Sequence, residues 1–361
     1  ALVARHGLMR SWKQGFATSM QSAETGYRIS LQSGETLAPR NVVLALGSGD
    51  HLRWPAWATT LKSRHQEAPL DHIFDKRFHR DHLDPSEDVV IVGAGISAAQ
   101  LALSLAKSGS KRRITLLARH SLRQADFESD PGWLGPLYLA EFDAERDLLK
   151  RRQMIDEARQ LGSIAADVMQ DLTLALRAGE VTHTLAHVQR AAWDGVGSPI
   201  RMDVRRMELD EETYHRTGEI VSRMSKSSQP LAAHRVVLAT GFESCRPGGE
   251  LVDRAIESLD LALAPDGFPD VDKHLRWRPG LFVMGPLAEL VVGPASRNLG
   301  GARMAASRIM ESPEVQRSLA TVAQPPASAS SKSSAPGSPL RPLFENSLEP
   351  EGIDSSAPLA Q

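Results

Sequence analysis

The stretch Asp88-Val-Val-Ile-Val-Gly93-Ala-Gly95-Ile-Ser-Ala98 decides the fold of this chain of 361 residues. Its apolar run ends in two glycines and passes directly into a segment rich in alanine and leucine, which ends at Gly109. A second apolar run follows from Ile114 to Ala118. This order predicts a strand, a tight turn, a helix and a second strand parallel to the first.

The glycines of this turn indicate a dinucleotide site. Gly93 permits the tight turn, Gly95 lets the backbone approach a diphosphate, and Ala98 is small enough for the helix and strand to pack closely. A diphosphate at this place lies against the N–H groups of the helix start, where the helix dipole is positive. The competing interpretation is a glycine turn of the same shape that binds no ligand.

The residue that follows the second strand predicts which dinucleotide is bound. A carboxylate at this place accepts hydrogen bonds from the ribose 2′-hydroxyl of NAD or FAD, whereas an arginine accommodates the 2′-phosphate of NADP. The chain has Arg119 here, and the first carboxylate after it is Asp126. The sequence therefore predicts NADPH rather than NADH. The alternative is that Arg119 is an ordinary exposed side chain.

The composition narrows the class of protein. A chain of 361 residues that is 41% hydrophobic is long enough for two or more domains with their own cores. The net charge of -2 gives no basic field, so nucleic acid is not an expected partner. No run of 18 apolar residues is present, so no membrane span is expected. The single cysteine, Cys245, excludes a disulfide framework and a CxxC pair and predicts a cytoplasmic location.

Residues 60–86 are polar and precede the glycine motif. Their histidines and aspartates are His65, His72, His79, His82, Asp71, Asp75, Asp81 and Asp84. The spacing matches no helical pair of histidines with a third ligand, so no metal site is predicted. Pro69 and Pro85 favour the interpretation of this segment as a linker.

A helical insertion is predicted after the glycine motif. Apolar residues recur near every 3.6 positions from about Leu137 to Leu176, with a break at Gly162. Such an insertion lies over the cofactor, makes a subunit contact, or packs on the sheet as a helical pair. The sequence leaves these alternatives open.

Two apolar runs on either side of the glycine motif share one pattern. Val42-Val-Leu-Ala-Leu-Gly47 and Val236-Val-Leu-Ala-Thr-Gly241 each predict a buried strand that ends in glycine. We interpret them as the crossover strands by which the chain leaves one dinucleotide domain and returns to it. A hairpin with its turn at Gly34 precedes the first run.

The last predicted elements are a strand and a helix. Gly280-Leu-Phe-Val-Met-Gly285 predicts another buried strand, and residues 293–303 open a helix that runs to about Met310. The N–H groups at the start of such a helix form a site for an anion or a polar ligand edge.

Together these motifs resemble the flavoproteins with two dinucleotide domains, and specifically the NADPH-dependent flavin monooxygenases of the lysine and ornithine N-hydroxylase group. The resemblance covers roughly residues 25–310. Ile96 and Gln100 stand where members of that group often have Gln and Glu. The positions that match the NADPH turn of the group are Gly93, Gly95, Ser97, Ala98 and Ala99.

The resemblance also implies roles for residues outside the NADPH turn. Gly47 and Gly241 would lie where the crossover strands meet the flavin domain. The residues implied to face the flavin, with the last helix aimed at its pyrimidine edge, are Gly285, Pro294, Asn298 and Leu299. Members of the group begin with their own GxGxxG turn for the FAD diphosphate, and residues 1–40 do not supply it.

The predicted fold class is α/β, with two Rossmann-like dinucleotide-binding domains. The FAD domain is predicted to be incomplete at its N-terminus, and the NADPH domain is inserted into it. The predicted divisions are residues 1–84 for the partial FAD-binding domain and linker, 85–234 for the NADPH-binding domain with its helical insertion, 235–318 for the return to the FAD-binding domain, and 319–361 for a disordered tail rich in Ser and Pro.

The resemblance implies hydride transfer from NADPH to FAD, followed by oxygenation of an amine or another small nucleophilic substrate. No residue set demands a protein-centred mechanism, so no catalytic residue is assigned, and the oligomeric state is left open. The absence of a cysteine pair argues against a flavin reductase of the disulfide type. The alternative is a non-catalytic nucleotide-binding scaffold or a truncated, inactive flavoprotein.

Overall fold

A computed structural model describes residues 5, 7–47, 51–109, 111–160, 162–209 and 222–323. Ala1–Arg317 form one compact unit, and Ser318–Gln361 form a second. The predicted disordered tail lies outside the described residues from position 324 onward. Its predicted start at residue 319 is wrong, because the last helix continues to Ala323.

The strands of the described ranges are β1 (Ala17–Ala23), β2 (Gly26–Leu31), β3 (Thr36–Leu37), β4 (Val42–Leu44), β5 (Leu70–His72), β6 (Val89–Val92), β7 (Ile114–Ala118), β8 (Arg123–Gln124), β9 (Ser163–Ile164), β10 (Thr182–Ala192), β11 (Ile200–Leu209), β12 (Ser222–Ala233), β13 (Arg235–Leu238), β14 (Arg276–Arg278) and β15 (Leu281–Val283). The α-helices are α1 (Ala56–Arg64), α2 (Ile96–Ala106), α3 (Pro136–Ala144), α4 (Leu148–Ala158), α5 (Ala166–Arg177), α6 (Gly249–Leu259), α7 (Glu289–Val292), α8 (Leu299–Met310) and α9 (Pro313–Ala323). Short 3₁₀ helices span Leu8–Ser11, Arg80–His82, Pro131–Leu134, Gly285–Ala288 and Pro294–Arg297.

The main sheet has seven strands in the order β12-β11-β10-β7-β6-β13-β5. Strands β10, β7, β6, β13 and β5 run parallel, and β11 and β12 extend the sheet in antiparallel register. The predicted strand-turn-helix-strand unit is confirmed as β6, α2 and β7. The chain passes from β6 to β7 on one side, while β13 lies on the other side. Strand order therefore reverses between β6 and β13, and this is where α/β sheets bind ligands, beyond the carboxyl ends of the strands.

Both faces of the main sheet are covered, which explains why every residue of β6 is buried. On one face, Ile91 packs with Ala98 and Ala102 of α2 and with Leu172 of α5. On the other face, Val90 packs in the core that includes Leu61 of α1. Ala98, Ala99 and Ala102 of α2 have no exposed surface, so the helix lies close against the sheet.

A second core lies beside a three-stranded sheet of order β14-β15-β4, in which β15 and β4 are parallel. Side chains of α6 and α8 cover this sheet, and β1 and β2 of the antiparallel β1-β2-β3 sheet add Met20 and Tyr27. The Tyr27 hydroxyl donates a hydrogen bond of 2.6 Å to the Pro279 carbonyl. The hairpin predicted at Gly34 is confirmed as β2 and β3.

The helical insertion divides between two parts of the molecule. The segment that includes α3 and α4 contributes three side chains to a core shared with Phe268 and Leu290: Trp133, Phe142 and Ile155. Helix α5 instead packs on the main sheet beside α2. One part therefore packs on the main sheet, as a single helix rather than the predicted helical pair, and the other packs on the segment that leads into α8. The break predicted at Gly162 is present, with β9 directly after it.

The predicted linker and domain limits need correction. Residues 60–86, for which the sequence predicts a linker, contain most of α1 and all of β5, and β5 pairs with β13 at the edge of the main sheet. Strand β13 also pairs with β6, so a limit between residues 234 and 235 separates neighbouring strands of one sheet. Three residues are too few to show a strand pattern, and β5 forms because its neighbour β13 supplies the hydrogen bonds.

In the ranges that the structure describes, no helix has the length and apolar character needed to cross a bilayer.

Candidate functional site

The glycine turn lies at the carboxyl edge of the main sheet. Gly93 has a φ of 153°, and a Cβ built there would lie 2.4 Å from the carbonyl oxygen of Ala239, just beyond β13. The N–H of Gly93 donates to Leu117 at 2.9 Å, and the N–H of Ala239 donates to Val92 at 2.8 Å. Only glycine fits at position 93, and the neighbouring strand imposes this requirement.

The start of α2 presents the groups that a diphosphate requires. Gly95 is the N-cap, and no side chain caps the helix. Ser97 is partly exposed in the first turn, and Ala98 is fully buried against the sheet. The Cα of Gly162 lies 3.3 Å from an ideal Cβ on Gly95, so the insertion approaches this turn closely. Uncapped N–H groups at a helix start fit an anionic ligand.

Arg119 follows β7 at the same edge of the sheet. Its side chain is exposed, and within the described residues it forms no ion pair. It lies near His187 of β10, which continues past the pairing of Leu185 with Ala118. Burial and the charge of Arg119 lower the pKa of His187. An unpaired guanidinium at this place fits a phosphate group.

The two crossover segments lie side by side. Leu52 and Phe242 form an antiparallel bridge, the N–H of Arg53 donates to the Gly241 carbonyl at 2.9 Å, and the N–H of Glu243 donates to His51 at 2.8 Å. Gly241 has a φ of 76°, which a glycine adopts readily. The interpretation of these runs as paired connections therefore agrees with their hydrogen bonding.

A buried histidine lies under this crossing. His72, at the end of β5, accepts a hydrogen bond at Nδ1 from the Phe74 N–H at 3.2 Å, and its Nε2 lies 3.3 Å from the Thr240 hydroxyl oxygen. Because that hydroxyl donates to the Arg53 carbonyl, Nε2 carries the histidine proton. Burial lowers the pKa of His72, so the ring is neutral at pH 7.

The second group of predicted residues lies at the carboxyl edge of the three-stranded sheet. Gly47 follows β4, and Gly285 follows β15 with a φ of 63°. A Cβ on Gly285 would lie 3.3 Å from the Leu46 carbonyl oxygen, which places the two glycines at neighbouring strand ends. The N–H of Met284 donates to Leu44 at 2.9 Å.

Helix α8 begins at this second edge. Pro294 is buried in the preceding 3₁₀ helix, and the Asn298 side chain caps α8 by accepting from the Gly301 N–H at 2.9 Å. Leu299 is 91% exposed, although one face of the helix that it opens is packed in the core. The side chain of Leu134, from the insertion, lies over Gly300. An exposed apolar residue at a helix start fits a flat ring with a polar edge, such as a flavin.

A charged cleft of about 140 Å³ lies beside the same helix start. The residues that line it are Arg152, Asp156, Arg159, Ser244, Asp266, Phe268, Glu289 and Arg297. Glu289 is completely buried and forms ion pairs with Arg152, Arg159 and Arg297, the last at 3.1 Å. Arg152 also contacts Asp266 at 2.7 Å, while its buried Nη2 has no hydrogen-bond partner among the described residues.

Burial alone would raise the pKa of the Glu289 carboxyl, but the three arginines outweigh it and lower the pKa. Glu289 is therefore ionised, and its charge ties α4, α7 and the segment before α8 together. Sequence patterns did not single out this cluster, because its members are far apart in the chain. The only local signal is an acidic residue in an otherwise apolar run, Leu287-Ala-Glu-Leu-Val-Val292.

Two glycine-rich strand ends, each beside a helix start and joined by paired crossovers, are features of the two-domain flavoprotein fold. A match over residues 16–244 identifies the family. The chain belongs to the L-lysine 6-monooxygenase/L-ornithine 5-monooxygenase family, and so to the FAD- and NADPH-dependent monooxygenases that hydroxylate amines.

Solved structures agree with this fold. An ornithine N-hydroxylase from Kutzneria sp. 744 has a TM-score of 0.62 at 18% identity, covering 84% of this chain and 71% of its own. An L-lysine 6-monooxygenase from Pseudomonas syringae has a TM-score of 0.60 at 18% identity, covering 86% and 71%. A cadaverine monooxygenase from Erwinia amylovora, bound to FAD, has a TM-score of 0.60 at 14% identity, covering 82% and 67%. No curated protein sequence matches the chain.

Proposed function

We propose that this chain hydroxylates the primary amine of a small aliphatic substrate, with NADPH as reductant and FAD as the redox group. The observation that carries the proposal is the pair of ligand edges, one at α2 and one at α8, joined by the crossovers at Leu52 and Phe242. FAD, when bound, accepts hydride from NADPH and reacts with oxygen. A cytoplasmic location, supported by the single cysteine and the need for NADPH, belongs to the same proposal.

The NADPH site is assigned to the edge at α2. Gly93, Gly95 and Ala98 shape the turn, Ser97 and the helix N–H groups hold the diphosphate, and Arg119 holds the 2′-phosphate. The exposed, unpaired side chain of Arg119 supports this assignment, because a guanidinium without a carboxylate partner is free to form charge-assisted hydrogen bonds with phosphate.

The flavin is assigned to the edge at α8. Gly47, Gly241 and Gly285 keep the strand ends and the crossover free of side chains, and Pro294 shapes the turn into the helix. Asn298 fixes the helix start, and Leu299 offers an apolar surface to the ring. Leu134 of the insertion lies over Gly300 and Trp133 packs in the core beside Leu290, so the insertion covers part of this edge.

The charged cleft is assigned to the polar end of the substrate. Asp156 and Asp266 offer carboxylate oxygens to an ammonium group, and the arginines that line the cleft offer a positive charge to an anionic group. Its volume of about 140 Å³ admits a short aliphatic chain with charged ends. The relatives named above act on ornithine, lysine and cadaverine, so these three amines are the substrates to test first.

The test measures NADPH oxidation, oxygen uptake and hydroxylamine formation with FAD and each amine in turn. Amine-dependent oxygen uptake with a hydroxylated product supports the proposal. Asp266→Asn should raise the KM for the amine, while Asp253→Asn, a carboxylate outside the cleft, should not change it. NADPH and FAD that bind without turnover of any amine would instead identify a non-catalytic scaffold.

A further inference from the structure

A short part of the insertion lies over the glycine turn between β6 and α2. We name residues 162–164 the cover segment. The Cα of Gly162 lies 3.3 Å from an ideal Cβ position on Gly95. Gly95 is the glycine that leaves room for a diphosphate to approach the backbone. The cover segment therefore fills the space that the missing side chain leaves open.

The helix beneath the cover segment has the properties of an anion site. No side chain caps α2, so its first N–H groups lack the partner that a capping residue supplies. The cover segment brings no charged side chain against them, since Gly162 has only hydrogen on its Cα. A diphosphate is the better partner for these groups, because it is anionic and accepts several hydrogen bonds.

The two ends of the cover segment are held differently. Ile164 is completely buried in the core beside α2, and its carbonyl accepts from the Ala125 N–H at 3.0 Å. At the other end, Gly162 has a φ of 76°, and the His120 ring lies 3.4 Å from its ideal Cβ position. Just before it, the Gln160 N–H donates to the Glu128 carbonyl at 2.7 Å. Core packing and the pairing of β9 with β8 fix residues 163 and 164, whereas the described contacts at and just before Gly162 are with His120 and Glu128, outside the core.

We propose that the cover segment is a lid on the dinucleotide site, closed in this structure and displaced by the diphosphate of NADPH. Gly162 moves away from Gly95 while Ile164 stays in the core. The lid presupposes that residues 93–98 hold NADPH, as proposed above. The ligand binds only molecules in which the lid is open. The apparent Kd is therefore the intrinsic Kd divided by the fraction of molecules in which the lid is open.

The substitution Gly162→Ala tests the closed form. Alanine disfavours the left-handed conformation of residue 162, where φ is 76°, while its methyl group makes only an ordinary contact with His120. The Kd of NADP⁺ should fall about fivefold, which corresponds to about 1 kcal/mol of strain in the closed form. The Kd of 2′-AMP, which carries the 2′-phosphate but no diphosphate, should not change.

The matched control is Gly179→Ala. Gly179 has a φ of 73° and no neighbour within 4 Å of an ideal Cβ, so the backbone strain is the same and the position is away from the lid. This variant should leave the Kd of both ligands unchanged. The lid proposal would be wrong if the two substitutions changed the Kd of NADP⁺ equally, or if Gly162→Ala left that Kd unchanged.

Hydrogen exchange on the unaltered chain gives a second test that needs no variant. On addition of NADP⁺, the Gln160 amide should exchange faster, because its bond to Glu128 opens with the lid. The Ala125 amide should keep its rate, because Ile164 stays buried. NADP⁺ that binds while the Gln160 amide keeps its rate overturns the lid and leaves the cofactor assignment standing. If neither NADP⁺ nor 2′-AMP binds, the cofactor assignment itself is wrong.

Discussion

Substitution of Glu289 by Gln removes the charge at the centre of the cluster that joins α4 to the segment before α8. Glu289 has no exposed surface, and the side chains of Arg159, Arg152 and Arg297 are 7%, 17% and 20% exposed. Arg152 keeps Asp266, whereas Arg159 and Arg297 lose the one carboxylate they contact in the described residues. Removing one partner from a buried ion pair costs about 3–5 kcal/mol, and we expect a loss of this size.

The assay is urea unfolding followed by tryptophan fluorescence, with Glu250→Gln as the matched control. Glu250 pairs with Arg254 on the surface of α6 and is 83% exposed, so its substitution should cost about 0–1 kcal/mol. A cost for Glu289→Gln no larger than that of the control would refute the claim that the buried charge holds these elements together.

The difference in the free energy of unfolding between wild type and Glu289→Gln should depend on pH in a defined direction. The arginines hold the pKa of Glu289 below its ordinary value of 4.5, despite the opposing effect of burial. A carboxyl whose folded pKa is lowered contributes stability that is complete above the unfolded pKa and is lost as the pH falls through the folded pKa. The stability difference between wild type and Glu289→Gln should therefore be constant near neutral pH and narrow in acid below about pH 4.5. A difference that widens in acid would show that the sign is wrong.

Three further substitutions test other parts of the structure. Gly93→Ala places a methyl group 2.4 Å from the Ala239 carbonyl oxygen and should lower the free energy of unfolding in urea by more than about 2 kcal/mol. The control, Gly34→Ala, should lower it by about 1 kcal/mol, because no atom lies within 4 Å of the added methyl group. Arg119→Ala should raise the Kd of NADPH by about tenfold or more and leave the Kd of NADH unchanged, and Arg123→Ala, the control, should change neither. A ratio of the two Kd values that stays the same in Arg119→Ala would contradict the assignment of Arg119 to the 2′-phosphate. Burial lowers the pKa of His72, so the folded chain binds fewer protons than the unfolded chain and should lose stability as the pH falls below 6.5. His72→Gln should make the free energy of unfolding depend less steeply on pH in this range. An equal slope in both proteins would contradict this role of His72.

Local patterns in the sequence predicted the central part of the fold correctly. Strand β6, α2 and β7 lie within about thirty residues, and the apolar runs, glycines and alanines that specify them are neighbours in the chain. The hairpin at Gly34 and the helix that ends at Met310 were predicted for the same reason. The family match over residues 16–244 confirms the class of protein that these motifs implied.

The contacts at the candidate site could not be predicted from these local patterns. Glu289 meets Arg152 across 137 positions of sequence, and no local spacing encodes an ion pair of that separation. Strand β5 was interpreted as part of a linker, because its three residues carry no alternation and its pairing depends on β13.

The sequence by itself determined the α/β class, the glycine turn and the family, because strand and helix periodicity and glycine conformation act over a few residues. The tertiary structure alone decided that Gly162 lies on Gly95, that Ala239 makes glycine necessary at position 93, and that three arginines meet one buried carboxylate. These contacts arise when distant segments pack into one core, and their energies depend on distances that exist only in the folded chain.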